Sequence, residues 1–169
     1  QLEKLGWRAT YLPVYREGIV RLDDLREAIS DETTLITIMH ANNEIGNILD
    51  IHAVGELCKL YGAIFHSDTV QTVGHFPFDL RNTAVHFITG AAHKFHGPKG
   101  VGILYINENV RIKPFVHGGG QERNMRAGTE NLYGIVGFGK ALEKATATME
   151  ADSANIGTIK YYMYEQLKK

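Results

Sequence analysis

Apolar residues recur along this chain with two alternating periods, and that alternation predicts its elements. The stretch "ATYLPVY" (9–15) alternates and is rich in aromatic and β-branched residues, which predicts a strand. In "RLDDLREAIS", Leu22, Leu25, Ala28 and Ile29 fall on one helical face. "TTLITIMH" (33–40) is an unbroken apolar run of buried-strand length. From Ile51 to Tyr61 the spacing turns helical, with Val54, Leu57, Cys58 and Tyr61 on one side and Gly62 as the C-terminal cap. "AIFHSD" (63–68) and "VHFIT" (85–89) are short strands, and "VGILYI" (101–106) pairs back after the turn Gly97-Pro98-Lys99-Gly100. A glycine-rich loop, His117 to Gln121, leads to "RAGTENLYGIVGFGKALEKA". That segment predicts a helix capped by Thr129, with Leu132, Ile135, Val136, Gly139 and Leu142 inward.

Strands alternating with helices at short spacing indicate a three-layer α/β/α fold with a mainly parallel sheet. Residues 1–169 are expected to form one domain. The opening "QLEKLGW" reads as a helix already under way, and the closing "YYMYEQLKK" is helical in pattern with no capping signal. Both ends therefore read as cut from a longer polypeptide, with 145–169 a helix leading towards a further, smaller domain. In open α/β sheets ligands sit beyond the carboxyl ends of the strands, which singles out His40–Asn43, Asp68–Gln71 and Thr89–Lys94.

Composition narrows the function classes. A net charge of -1 gives no basic surplus for nucleic acid. The longest apolar runs, such as Val101 to Ile106, are far too short to cross a bilayer. The single cysteine, Cys58, excludes an internal disulfide and fits a reducing, cytoplasmic compartment. It lies on the apolar face of its predicted helix and reads as a core residue. Histidines are many (His40, His66, His75, His86, His93, His96 and His117 among them), yet no pair has metal-ligand spacing on one helix. No metal site is expected.

The chemistry concentrates in "TGAAHKFHGPKGVG" (89–102), which sets Lys94 at a strand exit between two glycine-rich turns. A solvated lysine needs no such setting, whereas an amine used as a nucleophile in Schiff-base chemistry does. Asp68 ends a strand. It reads either as a turn or capping carboxylate, or as the partner of a protonated heterocycle such as the ring nitrogen of pyridoxal phosphate. Asn43 and Gln71 each follow a strand and offer amide donors, to a cofactor oxygen or to loop backbone. In "RAGTEN" (126–131) a plain helix cap is sufficient, but a helix N-terminus beside Arg126 also suits a phosphate.

Four blocks, "HANNEIGNI", "FHSDTVQTVGHFPFDL", "AAHKFHGPKGVG" and "GGGQERNMRAGTEN", resemble successive motifs of the cysteine desulfurases, the NifS/IscS-like members of the class V aminotransferase group. They stand in the family's order and spacing over nearly the whole chain. The resemblance implies a fold-type-I pyridoxal 5'-phosphate enzyme, of which this chain would be most of the large, cofactor-binding domain. By position Lys94 would carry the cofactor and shuttle protons, Asp68 would pair with the pyridine nitrogen, and Asn43 and Gln71 would contact the phenolic oxygen. His93 would help to hold the phosphate, and Thr129 would reach the phosphate of the neighbouring subunit in a homodimer. The implied reaction converts L-cysteine to L-alanine and leaves an enzyme-bound persulfide. That sulfur would pass to acceptor or scaffold proteins for iron–sulfur cluster assembly or thiolation.

One departure is Ala91, where many relatives carry a serine that binds phosphate. The family's amino-terminal phosphate loop and ring-stacking His would lie before Gln1. Its persulfide Cys and substrate-binding Arg would lie beyond Lys169, and Cys58 does not match that Cys. The piece alone is thus expected to be inactive. Two other readings stand beside this one. The first is a selenocysteine lyase or other class V enzyme. The second is a non-catalytic scaffold for dimerisation or partner binding, against which Lys94, Asp68, Asn43, Gln71 and His93 together speak.

Overall fold

The computed structural model describes residues 1–169. Its elements run α1 (Leu22–Ala28), β1 (Leu35–Thr37), α2 (Ile51–Tyr61), β2 (Ile64–Asp68), β3 (Phe87–Ala91), β4 (Gly102–Ile106), α3 (Gln121–Asn124) and α4 (Leu132–Leu167), with 3-10 turns at Glu3–Leu5 and Ala92–Phe95. The fold is α/β, with a mainly parallel four-stranded sheet in the order β1-β2-β3-β4. Two compact units divide the chain: Gln1–Thr69 with Asp79–Ile88, and Val70–Phe78 with Thr89–Lys169.

In the first unit α2 forms where the helical spacing predicts it. Asp50 caps its start, accepting from the N–H groups of His52 and Ala53 at 3.1 and 3.0 Å, and Gly62 closes it at φ 67°. Such a cap contributes about 1 kcal/mol. The inward side of α2 (Val54, Leu57, Cys58) is buried, as is Phe65 at the centre of β2. β1 and β2 are parallel, with Leu35 opposite Ile64, Ile36 opposite Phe65 and Thr37 opposite His66. Only Leu35–Thr37 of the predicted 33–40 run is regular strand. The chain nevertheless stays beside β2, since Ile38 N–H donates to His66 O and His40 N–H to Asp68 O.

Two expectations fail in this unit. The 9–15 segment is not a strand, because alternation stabilises a strand only where a partner completes the ladder. Here Pro13 has no N–H to give, Tyr11 and Val14 are exposed, and Tyr15 turns aside to donate to Asp24 at 2.9 Å beneath the Arg21 guanidinium. The opening residues make only the 3-10 turn Glu3–Leu5, which Gly6 ends in the left-handed region at φ 89°.

The second unit holds the end of β3, the 3-10 turn, β4 and α4. β3 begins and ends two residues later than predicted, so Thr89–Ala91 belong to the strand. Helix α4 joins the two predicted helical stretches into one and starts later. Its N-cap is Asn131, whose Oδ1 accepts from Gly134 N–H at 3.1 Å, and Thr129 stands outside it, exposed. The predicted inward face is also wrong: Leu132, Ile135 and Val136 are exposed, while Gly134 and Phe138 are buried. Small residues explain this. Pro98 lies against Gly137, and Ala141 stands beside Gly97, so the helix packs through its glycine and alanine positions. Counting large apolar side chains selects the opposite stripe.

Candidate cofactor site

In the first unit the exits of β1 and β2 are tied together by the bond from His40 N–H to Asp68 O at 2.8 Å. After His40 the chain makes a narrow loop, closed by the antiparallel bridge of Ala41 with Ile48. Asn42 builds that loop, its Oδ1 accepting from Glu44 and Ile45 N–H at 2.8 and 3.1 Å. Asn43 is left exposed at the tip, with its amide donating to Glu44 Oε1 at 2.8 Å. Asp68 ends β2 and is half-buried. Alternation along β2 puts His66 on the same face. His66 Nδ1 lies 2.7 Å from Thr37 Oγ1. Burial pulls the His66 pKa down, and the charge of Asp68 works against that shift. His40, a buried residue, is pulled down in the same way by burial and then by His52.

In the second unit the residues that follow Asp68 form a tight turn. Thr72 is fully buried and its carbonyl accepts from His75 and Phe76 N–H at 2.9 and 3.0 Å, with Gln71 half-buried just before it. Further along the chain, β3 runs into the turn Ala92–Phe95, which carries His93 and Lys94. Ala92 and Phe95 are buried and anchor the turn, while His93 and Lys94 are exposed. Lys94 is therefore not enclosed in a pocket of this chain. Gly97 N–H bonds back to Ala92 O at 2.8 Å. A Cβ on Gly97 would stand 2.8 Å from Ala92 Cβ and 2.9 Å from its carbonyl oxygen, so glycine is required for the chain to fold back this closely. Phe95 meets Phe138 of α4 edge to face, with centroids 5.2 Å apart. His75 donates its Nε2–H to the Lys94 carbonyl at 2.8 Å.

The glycine-rich loop is closed by the bridge of Val116 with Arg126 and by Ala127 N–H donating to Val116 O. Within it α3 is not a right-handed helix: Glu122, Arg123 and Asn124 have φ of 46°, 57° and 65°. Arg126 turns its guanidinium to the Ala127 carbonyl at 3.0 Å. Thr129 lies beyond, exposed.

The second unit thus brings His93, Lys94 and the Gln71 segment into one arrangement, with Thr129 on a separate loop. The first unit joins the chain leading to Asn43 with Asp68. Sequence reasoning passed over His75, one of many histidines. Its signal was faint: a Gly-His pair in a turn. Ala91, the last residue of β3, offers a methyl group where a hydroxyl was expected.

The sequence profile of the aminotransferase class-V family matches residues 1–169. A protein of Dictyoglomus turgidum named cysteine desulfurase IscS is 49% identical over 168 residues, which are 99% of this chain and 43% of that protein. A Methanosarcina thermophila protein of the same name is 48% identical over 168 residues, again 99% of this chain and 42% of that protein. Among solved structures, a NifS-like protein superposes with a TM-score of 0.95 at 40% identity, covering 99% of this chain and 46% of that one. A NifS-like protein from Rickettsia africae gives 0.85 at 35% identity, over 90% and 43% of the two chains. This chain spans less than half the length of the relatives it matches.

Proposed function

We propose, from the fact that this chain belongs to the aminotransferase class-V family, that the protein is a pyridoxal 5'-phosphate-dependent cysteine desulfurase. It would take L-cysteine to L-alanine and hold the sulfur as an enzyme-bound persulfide for iron–sulfur cluster assembly or thiolation. What supports the reading is the match of nearly the whole chain to relatives named cysteine desulfurase.

The residues present suit the cofactor's chemistry. An exposed amine (Lys94) and a carboxylate at a strand's carboxyl end (Asp68) answer to an aldehyde and a ring nitrogen. The amides of Asn43 and Gln71 answer to a phenolic oxygen, and the imidazole of His93 to a phosphate. When bound, pyridoxal phosphate supplies an electron sink for charge developing on the substrate's α-carbon. Lys94 would hold the cofactor through its amine and would move protons at its Nζ. Asp68 keeps the ring nitrogen protonated, which preserves the sink. Asn43 and Gln71 would orient the ring, and the Asn43 amide keeps a second N–H beside the one it gives to Glu44. His93 holds the phosphate, and Thr129 does so from the partner subunit of a homodimer. With Ala91 in place of a hydroxyl, the phosphate would lose one contact or take a backbone N–H in its place. The reading places the enzyme in the cytoplasm.

The test is borohydride reduction after incubation with pyridoxal phosphate, followed by peptide mass spectrometry, alongside an assay for L-alanine from L-cysteine in the intact protein. A phosphopyridoxyl adduct on Lys94 that Lys94→Ala abolishes, together with alanine formation, is expected. Labelling scattered over many lysines, or no alanine, overturns the reading.

A further inference from the structure

Two neighbouring residues of the 70–78 segment, Gly74 and His75, grip the turn that carries Lys94, and the proposed function assigns a role to neither. Gly74 lies at φ 82°, and a Cβ there would stand 2.9 Å from Phe95 Cβ and 3.0 Å from its Cγ. Only glycine lets the backbone come this close to the Phe95 ring. One residue on, His75 Nε2–H donates to the Lys94 carbonyl at 2.8 Å. The donor is itself well mounted, since His75 and Phe76 N–H both bond to the carbonyl of fully buried Thr72.

The turn needs outside support. A 3-10 turn has poorer hydrogen-bond geometry than an α-helix. This one has no side-chain cap at Ala91, and it ends on His96, a non-glycine residue in the left-handed region at φ 65°. The peptide unit joining Lys94 to Phe95 is nevertheless fixed from two sides. The imidazole of His75 takes its carbonyl, and the Phe95 side chain is buried against Phe138. An exposed imidazole ordinarily spends its N–H on water. Here it spends it on the backbone of the one lysine with a proposed chemical role.

We propose that His75 is a positioning residue, its imidazole holding the Lys94 peptide unit so that the Lys94 amine leaves the turn in one direction. The same grip keeps Gln71, four residues earlier on the segment, in register with that turn. This inference rests on reading Lys94 as the cofactor lysine. The Nε2–H donor is present both in one neutral tautomer and in the imidazolium ion, so the contact does not require a particular protonation state.

The experiment compares the native protein with His75→Ala and His75→Gln in the intact, cofactor-free chain. It measures tryptic cleavage after Lys94, then the distribution of borohydride-trapped pyridoxyl label between Lys94 and Lys99. Loss of the bond in His75→Ala is expected to speed cleavage about five-fold and to spread label onto Lys99. His75→Gln, whose Nε2 can donate to the same carbonyl, is expected to restore both. Cleavage and labelling unchanged in His75→Ala overturn the inference. So does His75→Gln failing to restore them at native thermal stability. If His75→Ala does not fold, native-like cleavage and labelling in His75→Gln support the inference and altered ones overturn it. Absence of label from Lys94 in the native protein overturns the reading of that lysine instead, and the cleavage rates then still judge the grip of His75.

Discussion

His86 pairs with Phe65 twice: its backbone N–H donates to the Phe65 carbonyl at 2.9 Å, and its Nδ1 accepts the Phe65 N–H at 2.9 Å. The ring nitrogen thereby completes the hydrogen bonding of β2 at a fully buried residue, and only an unprotonated Nδ1 can do so. Burial lowers the pKa of His86, and it also lowers those of His40 and His66. A lowered histidine contributes stability that is intact above its unfolded value, about 6.5, and lost as pH falls through the folded value. Thermal melting is therefore expected to drop between pH 7.5 and pH 5.5. In His86→Asn, whose side-chain oxygen can accept the same N–H without titrating, the drop should be smaller. An equal drop in both proteins would remove His86 from the explanation.

Two helical glycines should answer oppositely to alanine. A Cβ on Gly55 of α2 would sit 2.7 Å from the Ala84 carbonyl oxygen, whereas Gly139 of α4 has nothing within 4 Å. Gly139→Ala is expected to stabilise by about 0.5–1 kcal/mol through helix propensity. Gly55→Ala should gain the same propensity and still lose about 1–3 kcal/mol net to the clash. Denaturant unfolding of the two variants checks both signs.

Asn131 and Thr129 divide the roles that one residue was expected to carry. Asn131→Ala removes the bond to Gly134 N–H and is expected to cost about 1 kcal/mol. Thr129→Ala lies outside the helix and should leave stability within about 0.5 kcal/mol. If Thr129 holds phosphate, its loss appears as weaker cofactor binding by the intact protein, measured by fluorescence titration. A stability loss in Thr129→Ala equal to that in Asn131→Ala would contradict this division.

Cys58 is fully buried and burial raises its thiol to about 11. It should resist maleimide at pH 7.5 in the folded protein and react only in denaturant. Alkylation of the native protein within minutes, or a persulfide found on Cys58, would contradict its reading as a core residue.

The α/β class, α2 with its glycine cap and the strands β2 and β4 were readable because local pattern and tertiary packing agree there. Where they part, the sequence misled. Residues 9–15 alternate convincingly but meet no ladder, and the packed side of α4 combines Phe138 with Gly134, Gly137 and Ala141, small residues that hydrophobic counting underweights. The candidate site residues stood out in the sequence because strand exits and motif blocks coincide at Asp68 and Lys94. His75 stayed hidden because its partner is a backbone carbonyl, and a carbonyl has no signature in sequence.

The buried residues of helix α4 lie near its beginning. Its buried residues are Gly134 and Phe138, and residues 151–160 are exposed on every side. From Phe138 to Leu167 it extends about 44 Å at 1.5 Å per residue. Phe138 rests on Phe95, the residue directly after Lys94. One edge-to-face contact therefore serves two elements at once, and a substitution that shrinks Phe138 is felt first at the ring beside Lys94.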